Sequence, residues 1–185
     1  MKPILEPILY RLRATKVKGF IPKNSLVCDI GCGENGTFLF EIKNYIKAGV
    51  GYDKEVTPIN TDKIVLKKSE LTQSIDESSE FFDCVVLMAV LEHLSNLEAI
   101  MKECYRILRA GGRLLLTTPA PKSKAVLEIL SFKLGFVSSY LMKEHKHYFS
   151  QDELKQVLIK AGFLAEKITV TPFELGYNHF VLAIK

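Results

Sequence analysis

The sequence predicts an α/β fold: a doubly wound, mostly parallel seven-stranded sheet with helices on both faces and an antiparallel pair of strands at the C-terminus. Three observations carry this. Short apolar runs alternate with stretches of helical periodicity across the first five strands. The first apolar run feeds a complete G-x-G-x-x-G, Gly31-Cys32-Gly33-Glu34-Asn35-Gly36, followed by an apolar helical pattern. The last two apolar runs are close enough in sequence to pair antiparallel.

In order, residues 5–18 read as a helix with Leu5, Leu9 and Leu12 on one face. Pro22-Lys23-Asn24-Ser25 is a turn. Strands follow at Leu26–Ile30 and at Ala48–Tyr52, ending in Asp53, with a helix over 36–45 between them. Thr57-Pro58 interrupts the chain before a third strand at 63–67. Residues 72–80 are polar and read as a loop. Phe82–Met88 is apolar enough to be buried on both faces. Ser95 or Asn96 caps a helix over 97–108, which Gly111-Gly112 is expected to end. A fifth strand at 113–118 stops at Pro119 and Pro121. Ser150-Gln151-Asp152-Glu153 is a capping box opening a helix to Ala161, and Gly162 closes it. Strands at 165–171 and 178–184 complete the chain. No internal repeat or boundary divides residues 1–185, so one domain is expected.

Composition narrows the class. The chain is 48% hydrophobic and 25% charged, which is globular rather than disordered. No apolar run reaches the roughly 20 residues that cross a bilayer. The N-terminus lacks a secretory apolar stretch, so a cytoplasmic protein is expected. The net charge of +4 selects no partner. None of the four cysteines forms a C-x-x-C pair, and a reduced core is expected rather than a zinc site.

Glycine lets the backbone turn sharply and lets a ligand approach main-chain N–H groups. In a dinucleotide site the same glycines face a pyrophosphate, and an acid about 20 residues on binds the ribose. Asp53, 22 positions after Gly31, fits that spacing, so the glycines alone leave the ligand open. Asp29 breaks the tie. A carboxylate at the end of the first strand would repel a pyrophosphate and welcome an ammonium group.

Cys28-Asp29-Ile30-Gly31-Cys32-Gly33 resembles motif I of the class I, seven-strand, Rossmann-like S-adenosylmethionine-dependent methyltransferases. The resemblance continues through Gly51-Tyr52-Asp53, Phe82-Asp83-Cys84-Val85-Val86, Val90-Leu91-Glu92-His93-Leu94 and Leu108-Arg109-Ala110-Gly111-Gly112. The run His145-Lys146-His147-Tyr148-Phe149-Ser150, with Leu154 and Ala161-Gly162-Phe163, is similar to the small-molecule branch that includes the ubiquinone and menaquinone methylating enzymes.

The resemblance implies S-adenosylmethionine as cofactor. Asp29 would approach its methionine end, and Gly31, Cys32 and Gly33 would pass beneath it. Asp53 would accept bonds from the ribose hydroxyls. Glu70 and Leu71 would meet adenine, where the family often has Asp-Leu, and the stem of Lys54 would cover it. Met88 would lie beside the methionine part. The acceptor would be a small molecule, with an apolar part, methylated at oxygen or carbon. Residues 122–144 stand where the family builds an acceptor lid, and the N-terminal helix over 1–22 would form another wall. His93, His145 and His147 are the candidate bases; no third ligand joins His145 and His147, so no metal is expected. A nucleic-acid substrate is not expected, because Leu87-Met88-Ala89-Val90 replaces the Asn/Asp-Pro-Pro-Tyr/Phe run of amino-group methylases. The competing readings are a non-catalytic cofactor-binding scaffold of the same fold and an NAD-dependent oxidoreductase.

Overall fold

The computed structural model describes residues 6–70, 74–123 and 147–185. Eight strands form one sheet in the order β3-β4-β2-β1-β5-β6-β8-β7. They are β1 (Leu26–Ile30), β2 (Ala48–Asp53), β3 (Ile59–Asn60), β4 (Ile64–Lys68), β5 (Phe82–Met88), β6 (Leu108–Pro119), β7 (Ile168–Phe173) and β8 (Asn178–Ile184). The helices are α1 (Glu6–Lys18), α2 (Thr37–Ile42), α3 (Leu97–Ile107) and α4 (Gln151–Ala161).

Pairing is parallel from β4 through β2, β1 and β5 to β6. It turns antiparallel at β6–β8, and β7–β8 is the antiparallel terminal pair expected. The addition is β3, two residues paired antiparallel with Leu66 and Val65. Its brevity and the preceding Pro58 hid it, since two residues carry no periodicity.

Strand alternation sorts the core into two layers. Cys28, Ile30, Val85, Leu87, Leu114 and Leu116 pack against α3 and α4. Val27, Cys84, Val86 and Leu115 pack against Ala14 and Val17 of α1 and Phe38, Leu39 and Ile42 of α2. Asn96 caps α3, its side chain accepting from Ala99 N–H at 3.4 Å. The capping box of α4 is complete, and Gly162 closes that helix in the left-handed conformation. The expected role of Gly111-Gly112 is different. Helix α3 already ends at Ile107, and the glycines lie where β6 slips register against β5, between Phe82↔Leu108 and Cys84↔Arg113. There Gly111 N–H donates to Lys185 O at 2.9 Å, and Lys185 N–H to Gly112 O at 3.0 Å. The pair shapes a bulge that secures the chain's last residue.

Helix α2 is shorter than expected, and residues 165–167 form a 3-10 turn before β7. All four cysteines are free and buried. Among the described residues no helix is long and apolar enough to cross a membrane. Most of the expected lid, together with Leu71 and His145, lies outside the described residues.

Candidate active site

The chain leaves β1 toward β2 on one side and returns through β5 on the other, so a crevice opens at the carboxyl ends of these strands. Along that rim the strand ends present a row of acids: Asp53 at the end of β2, Asp29 in β1 and Glu92 after β5.

The β1–β2 half is built around the glycine turn. Gly31 and Cys32 both donate N–H bonds to Tyr52 O, at 2.8 and 3.1 Å, which docks the turn on β2. Gly31 has φ 76°, and a Cβ there would lie 2.2 Å from Val90 Cγ2. No larger residue fits without displacing the segment after β5. Gly33 has φ 72°, but nothing lies within 4 Å of where its Cβ would be. One glycine is demanded by the protein's own packing; the other faces open space.

Gly33 N–H donates to Asp53 Oδ2 at 2.9 Å, and Glu55 N–H donates to Asp53 Oδ1 at 2.9 Å. The carboxylate is thereby aimed, and each oxygen keeps a lone pair for a ligand. Asp29 is 1% exposed, and neither carboxylate oxygen has a hydrogen-bond partner among the described residues. Burial, reinforced by the charge of Asp53, pushes it up to about 7. Tyr10 of α1 has its acidity suppressed by burial first, then by Glu41 and by Asp29. Cys32 is buried in the turn, its thiol pushed up to about 12 by burial and then by Asp29 and Asp53. Lys54 and Glu70 are exposed beyond the ends of β2 and β4. Met88 is half-buried at the end of β5, opposite Thr117.

The β5–β6–β8 half is assembled from distant parts of the chain. Ala89 takes φ 55° immediately after β5, and Leu91–His93 form a 3-10 turn. That turn buries Glu92 to 2% exposure. Thr118 Oγ1 at the end of β6 donates to Glu92 Oε2 at 3.1 Å; Oε1 has no hydrogen-bond partner among the described residues. Burial pushes Glu92 up to about 7, against the opposing pull of its own backbone N–H, Arg13 and Thr118. His93 is half-buried on the same turn. His147 sits apart, preceding α4, with Nε2 3.2 Å from Glu153 Oε1 and its ring against Phe149. Glu92 is the residue that sequence reasoning passed over in favour of its neighbour His93. The available signal was an acid beside a histidine in the short turn after a buried strand.

Among the described residues no group of three His, Cys, Asp or Glu is arranged to hold a metal ion. A protein family described as "Methyltransferase domain" matches residues 6–167. The chain belongs to this methyltransferase domain family. It is 29% identical to the mitochondrial ubiquinone biosynthesis O-methyltransferase of Mus musculus, across 96% of this chain and 52% of that protein. A shorter match, 31% identity over 52% of this chain, is to 16% of a tRNA (carboxymethyluridine(34)-5-O)-methyltransferase of Xenopus tropicalis. The methyltransferase domain thus spans about half the length of the first curated relatives it matches. In fold it is similar to an S-adenosylmethionine-dependent methyltransferase from Mesorhizobium loti, with TM-score 0.70 and 16% identity over 92% of this chain and 96% of that one.

Proposed function

We propose that this domain is an S-adenosylmethionine-dependent methyltransferase acting on a small molecule, at a hydroxyl oxygen. The observation that carries the cofactor is Asp29. A buried carboxylate with no partner costs several kcal/mol unless something positive meets it, and a group bearing an ammonium supplies that partner. Gly33 leaves room beside it, and Asp53 offers its remaining lone pairs to hydroxyl donors. These residues fit the cofactor. Gly31 and Cys32 would hold the turn beneath it, Met88 would flank its methionine part, and Lys54, Glu70 and Leu71 would lie on its adenine side. When bound, S-adenosylmethionine supplies a methyl group already activated on a sulfonium. A dinucleotide fits less well, because its pyrophosphate would meet Asp29.

Methylating a hydroxyl releases a proton, and Glu92 is the group suited to take it. Oε1 has no hydrogen-bond partner among the described residues, Thr118 fixes Oε2, and burial holds the carboxyl in the range where it exchanges protons at neutral pH. His93, on the same turn, and His145 and His147 remain secondary candidates. The half-exposed His147, tied to the capping box of α4, suits a positioning role better. The named activity of the Mus musculus relative supports a small molecule over RNA, as does the absence of an Asn/Asp-Pro-Pro run at Leu87–Val90. The four free thiols suit a reducing compartment such as the cytoplasm.

The test is transfer of labelled methyl from S-adenosylmethionine to a panel of hydroxylated small molecules, with bulk tRNA as an alternative acceptor. The reading predicts label in a small molecule. Label in tRNA alone, or none in any acceptor, contradicts it.

A further inference from the structure

The carboxyl ends of the parallel strands form the rim, and their amino ends meet on the opposite edge of the sheet. There a cleft of about 210 Å³ is lined by Lys23 and Ser25 before β1, Lys47 before β2, Asp83 at the start of β5 and Arg109 at the start of β6. Ser25 precedes Asp29 by four positions, which along a strand is about 13 Å. The cleft is therefore separate from the rim. It is smaller than the roughly 300–1,000 Å³ of sites for drug-sized molecules, which suits a compact group.

The walls are held by main-chain bonds. Asn24 N–H donates to Tyr45 O at 2.9 Å, and Lys47 N–H donates to Ser25 O at 2.9 Å. These bonds lace the segment before β1 to the segment before β2 and bring two lysines to one cleft. Tyr45 Oη donates to Ile21 O at 3.1 Å, and Leu26 N–H donates to Asp83 Oδ2 at 2.6 Å. A ligand entering here has little backbone to order, and preorganisation of this kind lowers the cost of binding.

The charges narrow the ligand. Asp83 is already matched: Oδ2 holds Leu26 N–H, and Oδ1 stands 2.6 Å from Arg109 Nη2. Lys23 and Lys47 are exposed, and among the described residues no ion pair holds either one. The cleft thus carries two cations in excess. Ser25 is 2% exposed, and its Oγ has no hydrogen-bond partner among the described residues, where a buried hydroxyl is normally paired. A cation would be repelled by the lysines, and a neutral group would leave them unmatched. An oxyanion accepts from the hydroxyl and from both ammonium groups. Two excess charges suit a dianion.

We propose that this cleft binds a doubly charged phosphate group, as the free ion or on a small phosphomonoester, at a second site on the edge opposite the rim. Lys23 and Lys47 neutralise it, Ser25 donates to one of its oxygens, and Arg109 flanks it while keeping its pairing with Asp83. The site is independent of the methyltransferase reading: its ligand is neither methylated nor in competition with the cofactor.

The experiment is calorimetric titration with inorganic phosphate at pH 8, where the ion is doubly charged, at an ionic strength held constant with sodium chloride. One saturable site with a Kd of about 1 mM or tighter is expected. Lys23→Gln and Lys47→Gln should each weaken it by about tenfold, whereas Lys102→Gln, which removes the same charge from the exposed face of α3, should change it by less than about twofold. Ser25→Ala should weaken phosphate by about threefold or more without lowering the stability of the phosphate-free protein, because the hydroxyl it removes has no partner there. Dimethyl phosphate, a monoanion, should bind at least about tenfold more weakly. Methyl phosphate separates the two sources: binding like phosphate assigns a monoester, and failure beside phosphate binding assigns the free ion, each supporting the site. No saturable phosphate binding, an equal loss in Lys102→Gln and Lys47→Gln, or dimethyl phosphate binding as tightly as phosphate overturns the proposal.

Discussion

The two halves of the rim are built in opposite ways. Around Asp29, Gly31, Gly33 and Asp53 the site comes from two adjacent parallel strands and the turn between them. Its key contacts are backbone N–H groups closing on Tyr52 O and Asp53. Around Glu92 it comes from side chains on separate elements, Glu92 on the turn after β5 held by Thr118 at the end of β6. A backbone-built half suits a ligand that never changes. A side-chain-built half can be altered without disturbing the strands, which suits the partner that differs between enzymes.

Substitutions can break this contrast. The largest expected effect is on the acceptor side. Glu92→Gln should lower kcat by about 100-fold or more while leaving S-adenosylhomocysteine affinity within threefold. In the wild type kcat/KM should rise with pH through about 7, as the carboxyl opposite Arg13 and Thr118 ionises, and the variant should lose that rise. A pH–rate profile unchanged by the substitution would remove Glu92 from the reaction.

The two glycines separate packing from ligand. Gly31→Ala should cost about 2–4 kcal/mol of stability, because the new methyl meets Val90 in a left-handed turn. Gly33→Ala should cost about 1 kcal/mol for its backbone conformation alone, yet weaken S-adenosylhomocysteine more than its stability loss explains. Denaturant unfolding and ligand titration on both variants check this. Equal losses of stability would contradict the open cradle at Gly33.

Asp29 gives a pH signature on the cofactor side. Its folded pKa of about 7 lies above the ordinary carboxylate value, so the folded state holds a proton that the unfolded chain has lost. The ligand-free protein therefore loses stability on this account as pH rises from about 4 to 7. Asp29→Asn should equal the wild type near pH 4 and exceed it by on the order of 4 kcal/mol at pH 8. Denaturation at both pH values measures the difference, and a pH-independent difference would refute it. The smallest effect is expected at His147. His147→Ala should change kcat/KM by less than about threefold, since its ring meets Glu153 at the start of α4 rather than the rim; a 100-fold loss would restore it as a base.

The same contrast explains what could be read in advance. Asp29, the glycines and Asp53 are bound by fixed spacing along β1, its turn and β2, so pattern alone located them. The doubly wound, mostly parallel sheet followed from the β–α alternation, whereas β3 was too short to leave a period. Thr118 reaches Glu92 only through the pairing of β6 with β5, and a separation of 26 positions leaves no local signal. Glu92 was visible as a letter in Val90–Leu94, but its burial, which makes its chemistry, was not.

The most direct test is calorimetric titration of S-adenosylhomocysteine into the wild type, Asp53→Ala and Glu92→Gln. The division of the rim predicts measurable binding to the wild type, a loss of about 10- to 100-fold in Asp53→Ala, and no more than a threefold change in Glu92→Gln. No binding to the wild type, or equal losses in both variants, would contradict it.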